Sequence, residues 1–279
     1  MNNSSQARVK PLDAGRILTI FRPMPLAPRL ATAIGLARSL VVYYGRPWRN
    51  RALARFYATL IRPGDLAIDV GAHVGHRSRA LARAGARVVA MEPQTAFAAF
   101  LRATLPRGIT LIEAAAGPAE TVTEMAVSRL HPTVSSLSPG FADTAAALPG
   151  FGHVRWGARQ PVQMTTLDAV IARHGTPAFL KIDVEGFEAQ VLAGLTVPVP
   201  LIAFEFLPGL PAATRDCLNL LPDRQFNVVR GEANAFLWPD WRSRADLEAW
   251  LATQAPGDPS GDIYARASPA TIPGSAAKS

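Results

Sequence analysis

A chain of 279 residues that is 49% apolar can form one large domain or two small ones and has ample material for a packed core. The single cysteine, Cys217, excludes a disulfide framework and a thiolate metal cluster, and it fits a reducing compartment. The formal net charge of +8 is carried almost wholly by arginine, because only Lys10, Lys181 and Lys278 are lysines; charge of this kind names no partner by itself.

In chain order, residues 1 to about 12 read as a loose tail, and MNNSSQARVK lacks the basic-then-apolar order of a signal peptide. No run approaches the roughly 20 apolar residues that span a bilayer, so a cytoplasmic globular protein is expected. Before residue 56, nine arginines and Lys10 face one acid, Asp13. A polyanion or an anionic membrane surface could use such an arm, although a solvated face is the plainer reading. From Leu30 to Leu60 apolar residues return every three or four positions, which predicts helix, interrupted near Gly45 and Pro47. The arm is expected to pack on the main domain, or on a second subunit, through the apolar face of that helix. Nucleic acid is not an expected partner.

A regular alternation follows. LAIDV (66–70), ARVVAME (86–92), ITLIEAA (109–115), AFLKIDV (178–184) and LIAFEF (201–206) read as buried strands, with helical stretches between most of them. That pattern predicts an α/β fold with a parallel sheet covered on both faces. FNVVRG and NAFLWP resemble a closing antiparallel pair, and the Pro-, Gly- and Ser-rich end of the chain reads as disordered. Residues 128–160 break the rhythm with Gly, Pro and Ser, and a loop of that length is expected to act as a lid.

Each of the five strands carries an acid at or near its carboxyl end: Asp69, Glu92, Glu113, Asp183 and Glu205. In an open parallel sheet these ends line the crevice where ligands bind. Gly71 and Gly75 follow the first strand as a tight strand-to-helix turn, and Glu92 lies about 20 residues on, where a carboxylate accepts ribose hydroxyls. An adenosine-containing ligand is therefore expected. The turn reads Gly71-Ala72-His73-Val74-Gly75, so His73 stands where a diphosphate-binding turn has its middle glycine, and Asp69 would repel phosphate. An ammonium or sulfonium suits that acid better, which points to S-adenosylmethionine. His73 and His76 read as capping or helix-start residues rather than as catalysts.

The order IDVGAHVG, MEPQ, TTLD (165–168), then LKIDVEGFE with Lys181, Asp183, Glu185, Gly186 and Glu188, then a strand ending FEF, resembles the FkbM family of S-adenosylmethionine-dependent methyltransferases over residues 60 to 240. The resemblance implies a class I, Rossmann-like, doubly wound sheet of seven strands with the last antiparallel. It also implies methyl transfer to a hydroxyl of a sugar or secondary metabolite. Ser135-Ser136-Leu137 is similar to a serine-containing segment of the family. On this reading residues 1–55 form a basic helical extension, 56–252 the methyltransferase domain, and 253–279 a disordered tail.

Within the domain, Asp69, Gly71, His73, Gly75, Glu92, Glu113 and Ala114 are expected to hold the cofactor. Asp183, Glu185 and Lys181 are expected to carry catalysis, with Glu205 in support. A lysine in a strand buried on both faces must be paired or face the crevice, and a structural ion pair with a neighbouring acid is one of its readings. Glu185 and Glu188 could equally cap the following helix. No dedicated metal site is expected, although Asp183, Glu185 and Glu205 could share a divalent cation. A homo-oligomer is compatible with the sequence, and the acceptor is a small molecule or glycan. A nicotinamide-dependent oxidoreductase, which would share Glu92, and a non-catalytic cofactor-binding protein stay open as alternatives.

Overall fold

The computed structural model describes residues 26–131, 135–138 and 154–268. Two helices lead the chain, α1 (Leu26–Tyr44) and α2 (Pro47–Tyr57). The break between them falls at Gly45 and Pro47, and proline, lacking an N–H, starts the second helix where no donor is needed. The expected boundary after residue 55 lies inside α2, whose Leu53, Phe56 and Tyr57 pack into the sheet's core. This helix therefore belongs to the domain rather than to an appendage.

The main sheet has seven strands: β1 (Leu66–Val70), β2 (Arg87–Met91), β3 (Ile109–Ile112), β7 (Phe179–Ile182), β8 (Leu201–Phe206), β9 (Arg224–Arg230) and β10 (Gly261–Ala267). Their order is β3-β2-β1-β7-β8-β10-β9. The first five pair in parallel, and β10 runs antiparallel to both β8 and β9. The expected seven-stranded sheet with an antiparallel last strand is thus present.

Two details of the closing strands are corrected. The antiparallel partner of β9 is β10, not NAFLWP, whose Pro239 cannot donate to a ladder. The tail expected to be disordered from residue 253 instead supplies β10, with Ile263, Tyr264 and Ala265 buried inside the sheet. Gly and Pro on either side of this run set its average composition and hide a short strand.

Between the strands lie α3 (His76–Arg83), α4 (Thr95–Thr104), α5 (Leu167–His174), α6 (Glu188–Ala193), α7 (Pro211–Asn219) and α8 (Arg244–Leu251). The pleat sends alternate β1 residues to opposite layers. Leu66, Ile68 and Val70 join Leu167, Val191 and Leu218 on one side, while Ala67 joins Tyr57, Leu81 and Leu101 on the other. A smaller sheet, β4 (Ala115–Ala116), β5 (Thr121–Val127) and β6 (Ala158–Thr165), has the order β4-β6-β5. The β5–β6 pair is antiparallel and flanks the segment expected to be a lid. Residues 132–134 and 139–153 of that segment lie outside the described residues. Its near end is anchored, because Ser128 N donates to Ser135 Oγ and Ala126 and Ser136 exchange backbone hydrogen bonds.

Candidate active site

The turn after β1 is built by close backbone approach. Gly71 has a φ of +86°, and a Cβ there would lie 1.9 Å from the carbonyl oxygen of Asp183. Only glycine meets both conditions. Gly71 and Ala72 both donate to the carbonyl of Met91, and Asp183 N donates to the carbonyl of Val70. The ends of β2 and β7 are thereby drawn to either side of one turn. A cavity of about 750 Å³, mouth included, opens there. Apolar residues such as Val70, Met91, Ala114, Met125 and Phe187 form part of its wall.

On the β2 side stands Glu92, buried at 2% exposure. Its Oε2 accepts from His73 N at 2.7 Å and its Oε1 from Gln94 N at 2.8 Å. These amides fix the carboxyl at the cavity wall and leave lone pairs for a ligand's hydroxyls. Burial pushes its pKa up to about 7, against the pull of the two amides. His73 takes a φ of +51°, stacks on Phe97 with centroids 4.4 Å apart, and lines the cavity. Burial lowers its pKa to about 4, so the ring is neutral.

On the β7 side four charges alternate. Lys181 Nζ lies 3.0 Å from Asp262 Oδ1 and 3.4 Å from Asp183 Oδ2, while Arg77 reaches Asp262 at 3.3 Å and Asp183 at 3.4 Å. Burial alone would raise the pKa of Asp183, but Lys181 and Arg77 outweigh it and hold the carboxyl below its ordinary range. Glu185 and Glu205 go the other way: burial, reinforced by the charge of Asp183, pushes both well above the usual carboxylate range. Oxygens of the three acids lie within 4.8 Å of one another. Lys181 and Arg77 already compensate Asp183 and weaken it as a metal ligand.

The loop carrying these acids is itself constrained. Glu185 has a φ of +54°, unusual for a residue with a side chain. Ser136 Oγ donates to its carbonyl at 2.6 Å, and Glu188 Oε1 accepts from Val184 N and Gly186 N at 3.1 Å each. Glu188 is therefore a cap, whereas the Glu185 side chain lines the cavity.

Of the residues expected at the site, Gly71, His73, Glu92, Ala114, Asp183 and Glu185 line the cavity. Four others lie outside the cavity lining. Asp69 is wholly buried behind the turn and accepts from Ser78 Oγ at 2.5 Å, so it holds α3 rather than a ligand. Gly75 ends the turn at φ +76°, where a Cβ would press on Leu101 at 2.8 Å. Glu113 turns outward to an exposed ion pair with Arg102. Lys181, with no exposed side-chain surface, positions Asp183 and does not reach the cavity.

Three important residues escaped the sequence reading: Arg77, Asp262 and Tyr43. Tyr43 comes from the N-terminal helix, lines the cavity and stacks on His76 with centroids 4.2 Å apart. Both ring nitrogens of His76 are buried without a hydrogen-bond partner, and burial, followed by the charge of Arg77, keeps the ring neutral.

Comparison with known proteins identifies the line of descent. The Methyltransferase FkbM domain matches residues 69–255. The chain belongs to this methyltransferase family. The nicotinamide-dependent alternative is set aside with that finding. A comparison with curated proteins gives no match. Among solved structures, the chain is similar to an O-methyltransferase from Bacillus cereus in complex with SAH, at 12% identity and a TM-score of 0.45, covering 91% of this chain and 96% of that one. The magnesium protoporphyrin IX methyltransferase from Synechocystis PCC 6803 with bound SAM shares 15% identity at a TM-score of 0.40, with 84% of each chain covered. Precorrin-6y C5,15-methyltransferase from Geobacter metallireducens GS-15 shares 15% identity at a TM-score of 0.37, covering 77% of this chain and 87% of that one.

Proposed function

We propose that this FkbM-family chain transfers a methyl group from S-adenosylmethionine to a hydroxyl of a sugar or secondary metabolite. The observation that carries this reading is the excess of acid at the cavity. Glu92, Asp183 and Glu185 line it against one cationic side chain, Arg77. A ligand bearing an ammonium and a sulfonium draws such raised carboxyls toward their ionised, attracting form, whereas a diphosphate would oppose their ionisation. Glu92 suits the ribose hydroxyls of such a donor, and the apolar wall suits its adenine.

The bound donor supplies an activated methyl group on sulfur. The chain's own residues then align the acceptor and take its proton. Asp183, held ionised by Lys181 and Arg77, is a permanent hydrogen-bond acceptor that orients the incoming hydroxyl. Its lowered pKa makes it a weak base. Glu185, whose pKa is raised by burial and by the charge of Asp183, is the stronger base of the two once ionised. The neutral rings of His73 and His76 with Tyr43 add polarisable, uncharged wall.

The test is incubation of the purified chain with isotopically labelled methyl donor and fractionated cell metabolites, read by mass spectrometry. A labelled methyl ether is expected. Donor binding without any labelled product would leave a non-catalytic binder, and label on nitrogen or carbon would overturn the hydroxyl assignment.

A further inference from the structure

Helix α1 presents an apolar stripe to solvent. At about 100° per residue, Leu30, Ile34, Ala37 and Val41 fall within roughly 60° of one another, and all four are exposed. Leu30 is 60% exposed, Val41 71%, and Trp48, at the start of α2, 63%. The opposite face is occupied: Gly35 and Ser39 are buried, and Tyr43 stacks on His76. One face of α1 thus holds the helix on the domain while the other has no partner among the described residues.

The charge around that stripe is of one sign. From Leu26 to Gly64 the sequence contains no acid, and Arg29, Arg38, Arg46, Arg49, Arg51 and Arg55 are all exposed. We infer that α1 and the start of α2 dock on an anionic lipid bilayer, with the stripe in the acyl boundary and the arginines among the headgroups. Such a surface meets both features at once: buried apolar area and electrostatic attraction add in an interfacial helix. A second copy on a two-fold axis would set these arginines against their own kind. A nucleic acid would use the arginines and leave the stripe in water. No helix among the described residues is long and apolar enough to cross a membrane, and the contact proposed for α1 is with the bilayer surface. Tyr43 on this same helix lines the cavity, which places the site beside the docking surface.

The full chain is tested by cosedimentation with phosphatidylcholine vesicles, alone or with roughly one lipid in three replaced by phosphatidylglycerol. Binding to the anionic vesicles, reversed by high salt, is expected. Leu30→Ser/Ile34→Ser/Val41→Ser should weaken it at least about tenfold, the loss expected on removing buried apolar area. Arg38→Ser/Arg49→Ser should weaken it roughly thirtyfold, taking about fivefold for each cation at the surface. Thermal melting and sedimentation velocity accompany both variants. If the stripe variant does not fold, the arginine pair decides, and unchanged binding in that variant overturns the proposal. It is also overturned by no binding at low salt, by a folded stripe variant that binds normally, by a dimer that the stripe variant dissolves, or by tighter binding to duplex DNA than to vesicles.

Discussion

Two carboxyl groups flank the β1 turn, and they are treated in opposite ways. Glu92 is buried beside no cation and is held by two backbone amides, so its pKa rises to about 7. Asp183 is less buried, at 22% side-chain exposure, yet lies between Lys181 and Arg77 and is kept ionised. The two amides pull the pKa of Glu92 down but burial outweighs them, whereas two fixed cations outweigh the burial of Asp183. The first arrangement suits recognition of hydroxyls, which needs geometry. The second suits chemistry, which needs a charge that persists as the acceptor enters.

The contrast breaks most visibly at Asp183. Asp183→Asn keeps the shape and removes the charge, and turnover should fall by about 10²–10⁴-fold, the usual contribution of a positioned acid–base group. Cofactor affinity should change far less. Removing the like charge should also lower the pKa of Glu185, so the acidic limb of the pH–rate profile should move to lower pH. A rate loss without that movement would assign Asp183 to positioning alone, and full activity would make it a bystander.

Lys181 tests the same network through stability. Lys181→Met leaves Asp262 and Asp183 short of one counter-charge that has no exposed surface of its own. Breaking a buried pair in this way costs about 3–5 kcal/mol, and Arg77, still touching both acids, places the expected loss near the lower end. Urea denaturation measures it. A loss below about 1 kcal/mol, the size of a surface pair, would mean that the network is solvated.

Legibility followed the same division between local and distant causes. β1, β2, β3, β7 and β8 are readable because each is a mainly apolar run next to a helical stretch, and the glycine turn and Glu92 lie within one strand–helix–strand unit. The charged network was not. Arg77 sits on α3, Lys181 on β7 and Asp262 on β10, and only the insertion of β10 between β8 and β9 brings Asp262 to the lysine. Lys181 did signal a need for a partner, since a lysine within an apolar strand demands one. The signal could not say which partner, because the register of β10 depends on tertiary pairing. Tyr43 was hidden in another way: in a helix that reads as an extension, one of two adjacent tyrosines carries no mark of the cavity it closes.

Glu92 gives a smaller effect with a distinct signature. Glu92→Gln places an amide group against a backbone N–H and removes the charged acceptor, so cofactor affinity should drop about tenfold or more, as for loss of a charged hydrogen bond. In the unaltered chain the carboxylate is the better acceptor, so affinity measured by calorimetry should rise as pH passes through about 7. The variant should lack that rise. Stability without cofactor runs the opposite way. The folded chain keeps a proton that the unfolded chain loses above 4.5, so this residue's contribution falls as pH climbs from there to about 7. A pH-independent affinity would remove Glu92 from the ligand's contacts.

Glu113 sharpens the comparison from outside it. By sequence it is the third acid at a strand end, equivalent to Glu92 and Asp183. In the structure the chain turns after β3, so Ala114 and Ala115 face the cavity and Glu113 faces solvent, where Arg102 Nε donates to it at 2.7 Å. Exposed pairs of this kind are screened by salt and add little. Glu113→Ala should therefore leave cofactor affinity and turnover unchanged within error. A tenfold loss of affinity would show that β3 ends in another register and that Glu113 joins the rim. An unchanged value would show that a strand-end position is not enough, and that a carboxyl joins this site only when the next turn draws it inward.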